Sequence, residues 1–428
     1  MASALSVLIV GGGGREHALT WAITQSKQVE TVYVAPGNAG TAAIAKNINI
    51  PAEDVQALTQ FAHENRVDLV VIGPEVPLAL GLVDSLNKAN IRAFGPTGLA
   101  ARIEASKAFS KRFMQDHNVP TAAYAEFSGY DAAMRYVDEM NSPVVVKADG
   151  LAAGKGVIMC EGPQQARAAL KAIMVDSQFG EAGDKVIIEE WLEGPEVSLL
   201  AFVDGKTVVA MPPVRDHKRA YDHDEGPNTG GMGAFAYPLD VTPEVVAQIE
   251  KRILQPVVAG LAAQGTPYKG VLYAGVMLTA DGPKTLEFNC RFGDPETQVV
   301  LPLLETDIVD VMLACVDGTL DQLDVAWKPG TCATVVMASP GYPGSYPKGL
   351  SISGVDAAQA AGTVVFHAGT ALDDAGNLVT SGGRVLAVSA TGDDLDTALA
   401  TAYAGVGQIS FEGAHYRTDI GRNGRHQA

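Results

Sequence analysis

Four features of this 428-residue sequence have the residue types of phosphate and metal chemistry: Lys147, the segment Gly150–Gly156, the pair Glu287/Asn289 and the run Gly11–Gly14. Lys147 ends the apolar run Val144–Val146. A lysine at the end of a buried strand needs an anionic partner, because an unpaired buried charge is costly. The other reading is a strand end in solvent, with a lysine that snorkels. Gly150-Leu-Ala-Ala-Gly154-Lys155-Gly156 resembles a Walker A loop, but its glycines are one residue too close and Gly156 stands where Ser or Thr would hold magnesium. It suits a glycine-rich hairpin that folds over a triphosphate, with backbone N–H groups and Lys155 facing the phosphates. Glu287 and Asn289 lie in the strand-like Thr285–Asn289, and a period of two puts both side chains on one face. Carboxylate and amide oxygens are hard donors that suit a Mg²⁺ retaining water and phosphate ligands. Arg291, Asp294 and Glu296 follow, a polar crowding that bound ligands would satisfy.

Gly11–Gly14 follow an apolar strand and precede a helix, where glycines let an anion approach the backbone and the helix dipole favours it. A dinucleotide fingerprint fails at its third glycine, which falls on Glu16 or His17, although Glu30 lies at a suitable distance for a ribose contact. A tight turn without ligand also remains open. Four glycines followed by Arg15 favour an anion site. His17 reads either as catalytic or as a capping and packing residue of the first helical turn.

The elements that must position these groups are bounded by composition. A length of 428 residues implies two to four packed units, and 47% hydrophobic with 19% charged residues describes a globular chain. The net charge of −18 argues against a nucleic-acid partner. Cys160, Cys290, Cys315 and Cys332 form no CxxC pair, so neither zinc nor a disulfide framework is expected, and a reducing cytoplasm fits. The N-terminus has no basic region, and Val7–Val10 runs straight into glycines, as a strand does and a signal peptide does not. No run approaches the roughly 18 apolar residues of a membrane span.

The first hundred residues alternate in βα fashion and predict a parallel sheet covered on both faces, with helices from Arg15 to about Ser26, over Leu78–Ala89 and over Lys107–His117. From about Thr121 a compact α+β unit follows, then a hairpin over 198–214. Arg215–Ala234 carries charges and glycines without hydrophobic periodicity and reads as a long functional loop. A helix over Pro243–Gln264 precedes paired strands ending at Asn289, and beyond Trp327 Val-rich strands and Gly/Pro turns predict a small β-rich unit.

In order along the chain stand GGGGREHA, PGNAG, GPEVPL, KAFSKRFM, VVVKADGLAAGKGV, IIEEWLEGPEVS, GPNTGGMGA and LEFNCRFGDPETQ. Over roughly residues 6–420 this set resembles the glycinamide ribonucleotide synthetase family of the ATP-grasp superfamily. Arg291, the second residue after Asn289, agrees with the family pattern. The resemblance implies a multidomain α/β and α+β protein with the ATP-grasp fold: an N-terminal Rossmann-like (pre-ATP-grasp) domain over 1–104, a grasp module over 105–327 with a mobile lid at about 122–193, and a C-terminal β-rich domain over 328–428. It implies ligation of glycine to 5-phosphoribosylamine through a glycyl phosphate, with ATP and Mg²⁺ or Mn²⁺. Another ATP-grasp carboxylate–amine ligase of purine metabolism is the alternative.

By the same resemblance Lys107, Lys147 and the lid residues Gly154, Lys155 and Gly156 face the ATP phosphates, and Glu287 and Asn289 hold the metal. The backbone of Glu190, Trp191 and Leu192 would meet the adenine edge, Glu189 its amine and Glu196 the ribose, unless Glu196 is a plain surface charge. Gly12, Gly13, Gly14, Arg15, Asn38 and Glu75 would bind phosphoribosylamine. Arg291 would clamp a carboxylate or the phosphoryl group, while Asp216, Asn228, Gly230, Gly231, Met232 and Asp294 shape the acyl-phosphate pocket. The partners would be small molecules, with no membrane or nucleic acid and no further pathway enzyme on the chain, although association with such enzymes stays open; a monomer is favoured over an oligomer.

Overall fold

The computed structural model describes residues 4–140, 142–151 and 156–422. Near the N-terminus β1 (Leu5–Gly11) is central in a parallel sheet with β2 (Val29–Pro36), β3 (Lys46–Asn47), β4 (Leu69–Ile72) and β5 (Arg92–Phe94), in the order β3–β2–β1–β4–β5. Leu8 and Val10 point into one core, Val7 and Ile9 into another. A strand covered on both faces has no polar side, which is why this run is continuously apolar. The helix expected over 78–89 is two helices, Glu75–Ala79 and Leu82–Lys88, because Gly81 between them adopts a φ of 82°. A helix that periodicity did not single out, Gly98–Ala105, leads into Lys107–Asp116, whose first turn is capped by the Ser106 hydroxyl.

The next unit is an antiparallel sheet of β6 (Tyr124–Phe127), β7 (Val144–Ala148), β8 (Val157–Cys160) and β9 (Val186–Glu190), in the order β6–β9–β7–β8. The helices Tyr130–Met140 and Pro163–Leu170 cover one face with their own apolar cluster, into which Val144, Val146, Val186 and Ile188 project. Strand alternation then turns Val145, Lys147 and Glu189 to the opposite face, where they line the central cleft.

Among the described residues the largest sheet is antiparallel and nine-stranded. Its elements are β10 (Glu196–Asp204), β11 (Val208–Ala210), β12 (Val214–Asp216), β15 (Gly233–Ala236), β16 (Lys269–Thr279), β17 (Gly282–Asn289), β18 (Thr331–Ala338), β19 (Val364–His367) and β22 (Arg384–Gly392). The order is β17–β16–β10–β12–β15–β18–β22–β19, with β11 beside β10. Arg215–Ala234 is therefore not simply a loop: it supplies part of β12, all but the last two residues of β15, and the small hairpin β13 (Arg219–Tyr221) and β14 (Glu225–Asn228). Strands without alternation of their own are held there by long neighbours on either side, β10 and β18. The C-terminal strands, rather than forming a sheet of their own, continue the central one through the β15–β18 pairing. A separate hairpin, β20 (Thr370–Leu372) with β21 (Leu378–Thr380), projects beside β19.

The glycine turn after β1 is tied to this C-terminal segment. A Cβ on Gly12 would stand 2.6 Å from the Gly37 carbonyl oxygen, so the turn admits no side chain there. Asn38 caps the helix Ala39–Ile44 by accepting from Gly40 N and Thr41 N at 2.8 and 3.0 Å. Its amide nitrogen donates to Gly12 O at 3.0 Å and His367 O at 2.8 Å. Asn38→Ala removes the cap and strands buried carbonyls, so a loss of about 2–4 kcal/mol in unfolding free energy is expected from denaturant titration.

Candidate active site

The three bodies enclose a cleft of about 1140 Å³. On its floor β17 presents Glu287 and Asn289 on one face, in register with Gly275 and Tyr273 of β16. Among the described residues no hydrogen bond or close ion pair occupies the Glu287 carboxylate. Burial would raise its pKa, but Lys218, Lys147, Lys107 and Arg291 outweigh that and hold it below the ordinary carboxylate value. Lys107 donates to Gly150 O at 2.9 Å, and burial lowers its pKa while Glu287 opposes the shift.

Lys147 is not an unpartnered cation. Its Nζ lies 2.9 Å from Glu189 Oε1, outside hydrogen-bond geometry, and donates to Leu286 O at 3.0 Å. The other Glu189 oxygen is 3.0 Å from Lys111, whose pKa burial lowers to about 8 against the pull of Glu189. Glu190 accepts from Ala123 N at 3.0 Å and Lys284 at 3.2 Å. Glu196 pairs with Lys218 at 2.9 Å. Burial pushes Asp216 up to about 7, with Lys218 opposing and Glu296 and Glu196 adding to it.

Arg291 is gripped from three sides. Its Nε is 3.3 Å from Glu75, and its Nη2 is 3.2 Å from both Glu104 and Asn289 Oδ1. Glu104 also accepts from Cys290 N at 2.6 Å. Burial raises the Glu104 pKa with Arg291 opposing; for Glu75 the same desolvation is outweighed by Arg291 and Arg15, and its pKa falls.

Gly12, Gly13, Gly14 and Asn38 do not line this cleft. They border a second depression of about 340 Å³, together with Thr370 and Ser381. Asp294 and Arg384 line both spaces. Arg384 Nη1 donates to Gly230 O and Asp294 O, each at 2.7 Å, and stands 3.3 Å from the Asp294 carboxylate. Arg15 faces the cleft but folds back onto Glu16 at 2.6 Å and Phe292 O at 3.1 Å.

Of the residues singled out from sequence, Arg15, Glu75, Lys107, Lys147, Gly156, Glu189, Glu190, Leu192, Glu196, Asp216, Asn228, Gly230, Glu287, Asn289, Arg291 and Asp294 surround the central cleft. Gly154 and Lys155 lie outside the described residues. Four other expected residues are placed differently. Met232 is wholly buried and its backbone is already bonded to His217 O and Val336 N, so it faces the core. Neither Trp191 nor Gly231 is among the lining residues; a Cβ on Gly231 would meet Pro295 at 2.5 Å. The Asn38 amide is spent on holding the turn. His17 is a packing residue: its Nδ1 accepts from His367 N at 2.7 Å, and its ring sits edge-on to Phe366. Lys111, Glu104, Lys218 and Arg384 went unread. Lys111 alone had a local signal, four residues after Lys107 on one helix face.

The donor set fits a divalent ion. Among the described residues no group of three or more His, Cys, Asp or Glu could hold a metal alone. One carboxylate and one amide oxygen instead suit an ion completed by phosphate and water.

Family sequence models described as phosphoribosylglycinamide synthetase N domain, ATP-grasp (A) domain and C domain match residues 5–104, 105–297 and 332–423. The phosphoribosylamine–glycine ligase of Vibrio vulnificus is 49% identical over 420 residues, covering 97% of this chain and 98% of that protein. The trifunctional purine biosynthetic protein adenosine-3 of Gallus gallus is 52% identical over 97% of this chain, which spans only 42% of that longer protein. Among solved structures, the phosphoribosylamine–glycine ligase of Thermotoga maritima superposes with a TM-score of 0.87 at 35% identity, covering 97% of this chain and 100% of the other. A biotin carboxylase domain from Hydrogenobacter thermophilus shares the fold at 16% identity, with a TM-score of 0.73 over 97% of this chain and 92% of that one.

Proposed function

The chain belongs to the phosphoribosylglycinamide synthetase family of ATP-grasp ligases, and from that premise we propose how its cleft divides the work of joining glycine to 5-phosphoribosylamine. A carboxylate is a poor electrophile until one of its oxygens can leave. Glycine's carboxylate oxygen attacks the γ-phosphorus of ATP, ADP departs, and a glycyl phosphate forms. The amine nitrogen of phosphoribosylamine then attacks the glycyl carbonyl carbon, phosphate leaves with the acyl C–O bond pair, and the amine gives up a proton. Phosphoryl transfer asks the protein mainly for positioning and charge neutralisation.

The observation that carries this reading is the convergence of Lys107, Lys147, Lys218 and Arg291 on the single carboxylate of Glu287. Lys147, Lys218 and Arg291 already pair with Glu189, Glu196, Glu75 and Glu104, so what complements a magnesium triphosphate is the grouping of these positive side chains around one open carboxylate. Glu287 and Asn289 would hold Mg²⁺ or Mn²⁺, which when bound neutralises charge on the phosphate oxygens. Residues 1–104, 105–327 and 328–428 act as the three bodies, with 122–193 as the lid that excludes water from the acyl phosphate. Leu192 and the Glu190 backbone receive adenine, and Glu196 the ribose. Asp216, whose carboxyl burial pushes up to about 7, would take up the amine proton.

Phosphoribosylamine would place its phosphate at the glycine turn, where the N-terminus of Gly14–Ile23 meets Arg384, and its amine toward the central cleft. Arg384→Gln is expected to raise the KM for phosphoribosylamine by about 10- to 100-fold, equivalent to one charged hydrogen bond, with little change in the KM for ATP. Equal effects on both would remove this placement. The reading as a whole is tested by incubating the protein with ATP, Mg²⁺ and labelled glycine, with and without fresh phosphoribosylamine, and following ADP. Turnover should require glycine; ADP release independent of glycine would overturn it. No described helix is long and apolar enough to cross a membrane. The four described cysteines are free thiols, which supports a reducing compartment such as the cytoplasm.

A further inference from the structure

Lys111 has no part in the scheme above, yet it is 2% exposed and lines the cleft. It follows Lys107 by one turn of Lys107–Asp116. Its Nζ donates to Thr121 Oγ1 at 2.8 Å, and the Thr121 hydroxyl donates on to Thr285 O of β17 at 2.7 Å. Its second polar contact is Glu189 Oε2 at 3.0 Å. Lys147 meets the other oxygen of the same carboxylate. One carboxylate, itself 2% exposed, thus carries two cations from two elements: Lys147 from the four-stranded sheet, Lys111 from a helix outside that sheet.

The proposed nucleotide site asks Lys147 to meet phosphate oxygens, and to do so it must loosen its hold on Glu189. A buried carboxylate left without a partner either destabilises the complex or takes up a proton. We propose that Lys111 is a positioning residue for the nucleotide: it is the standing counter-ion of Glu189, which keeps that carboxylate ionised and in place when Lys147 swings to the phosphates. The inference rests on the ATP-site reading. Lys111 acts through Glu189, and its tie to Thr121 and β17 fixes the carboxylate against the strand that bears Glu287. The other titratable groups beside the Lys111–Glu189 pair are Tyr124 on β6, whose ring lies 5.6 Å from Lys111, and the adjacent Glu190 with its partner Lys284; Lys107 on the helix of Lys111 and Glu287 on β17 line the same cleft.

The test is calorimetric binding of Mg²⁺ and the β,γ-imido analogue of ATP to the full chain at pH 7, in two buffers of different ionisation heat, which counts protons. K111M should bind at least about tenfold more weakly than wild type and take up about one proton more per analogue bound, because Glu189 is then protonated as Lys147 leaves. Its deficit should shrink from pH 8 to pH 6, and K111R should keep the wild-type proton count. If K111M does not fold, the double variant E189Q/K111M carries the test. With the carboxylate gone it should bind with no proton uptake beyond that of wild type, whatever affinity the missing Glu189 contact costs; a folded double variant that still takes up an extra proton overturns the inference. K147M separates the two levels. Unchanged binding in K147M removes the nucleotide site itself. Lost binding in K147M, with wild-type affinity or proton count in K111M, removes only the role of Lys111.

Discussion

Glu287→Ala is expected to lower turnover by about 10³-fold or more, a loss of about 4 kcal/mol in transition-state stabilisation. Glu287 is the only carboxylate of the proposed metal pair, and Asn289 shares its Oδ1 with Arg291 at 3.2 Å. Without Glu287 the ion would have one neutral protein ligand and would depend on phosphate and water alone. The fold should survive, because no hydrogen bond or close ion pair among the described residues runs to this side chain. Thermal unfolding within a few degrees of wild type, beside lost ADP release, is the expected pair of results. Raising Mg²⁺ should recover part of the rate. Wild-type turnover in this variant would remove the metal assignment, and a large drop in melting temperature would show that Glu287 is structural instead.

Arg291→Met should act in the opposite way, on stability first. Its guanidinium lies between Glu75 and Glu104 and touches Asn289. Removing one partner of a buried ionic group costs about 3–5 kcal/mol, because the carboxylates stay behind. The loss should depend on pH. Burial already raises the Glu104 pKa with Arg291 opposing, so without Arg291 it rises further; Glu75 loses the main group that offsets its own desolvation. In the unfolded chain both glutamates ionise near about 4.3. Above that pH the folded variant holds more protons than the unfolded one, so its stability falls as pH rises through the raised folded pKa. Melting of Arg291→Met relative to wild type should therefore be worse at pH 8 than at pH 5.5. Adding Glu104→Gln should return part of the loss, because a neutral amide needs no cation. A pH-independent deficit, unmoved by Glu104→Gln, would mean that Arg291 contributes packing and not charge.

These two variants divide the site along the line between what was legible in the residues and what was not. Glu287 and Asn289 could be paired from sequence because a strand's two-residue period is a local property, and β17 obeys it from Glu287 to Asn289. Lys147 was legible as the charged end of an otherwise apolar strand, because burying a charge demands a partner. Lys107 and Lys111 stand four apart on one helix, and only the first was read. Nothing local marks Glu104 as the partner of Arg291, or Arg384 as a neighbour of Asp294: those contacts join residues 187 and 90 positions apart. The central sheet shows the same division. Its long strands β10, β16 and β18 carry enough apolar residues to be found alone. β12 and β15 are too short and too rich in glycine and charge, and exist as strands because longer neighbours supply their hydrogen bonds.

By itself the sequence determined the order of the elements, the motifs that resemble one ligase family, and the cation and carboxylate types that suit a magnesium triphosphate. The elements and the residue types follow from local periodicity and chemistry, while the resemblance rests on motifs that stand in order over roughly residues 6–420. Only the tertiary structure decided that the glycine turn borders a depression of its own, that the Asn38 amide ties that turn to His367 while Met232 is buried, and that one glutamate holds two lysines. The physical reason is range: hydrogen bonds and ion pairs act over a few ångströms of space, and the chain brings those groups together only when three separate bodies close on a shared sheet.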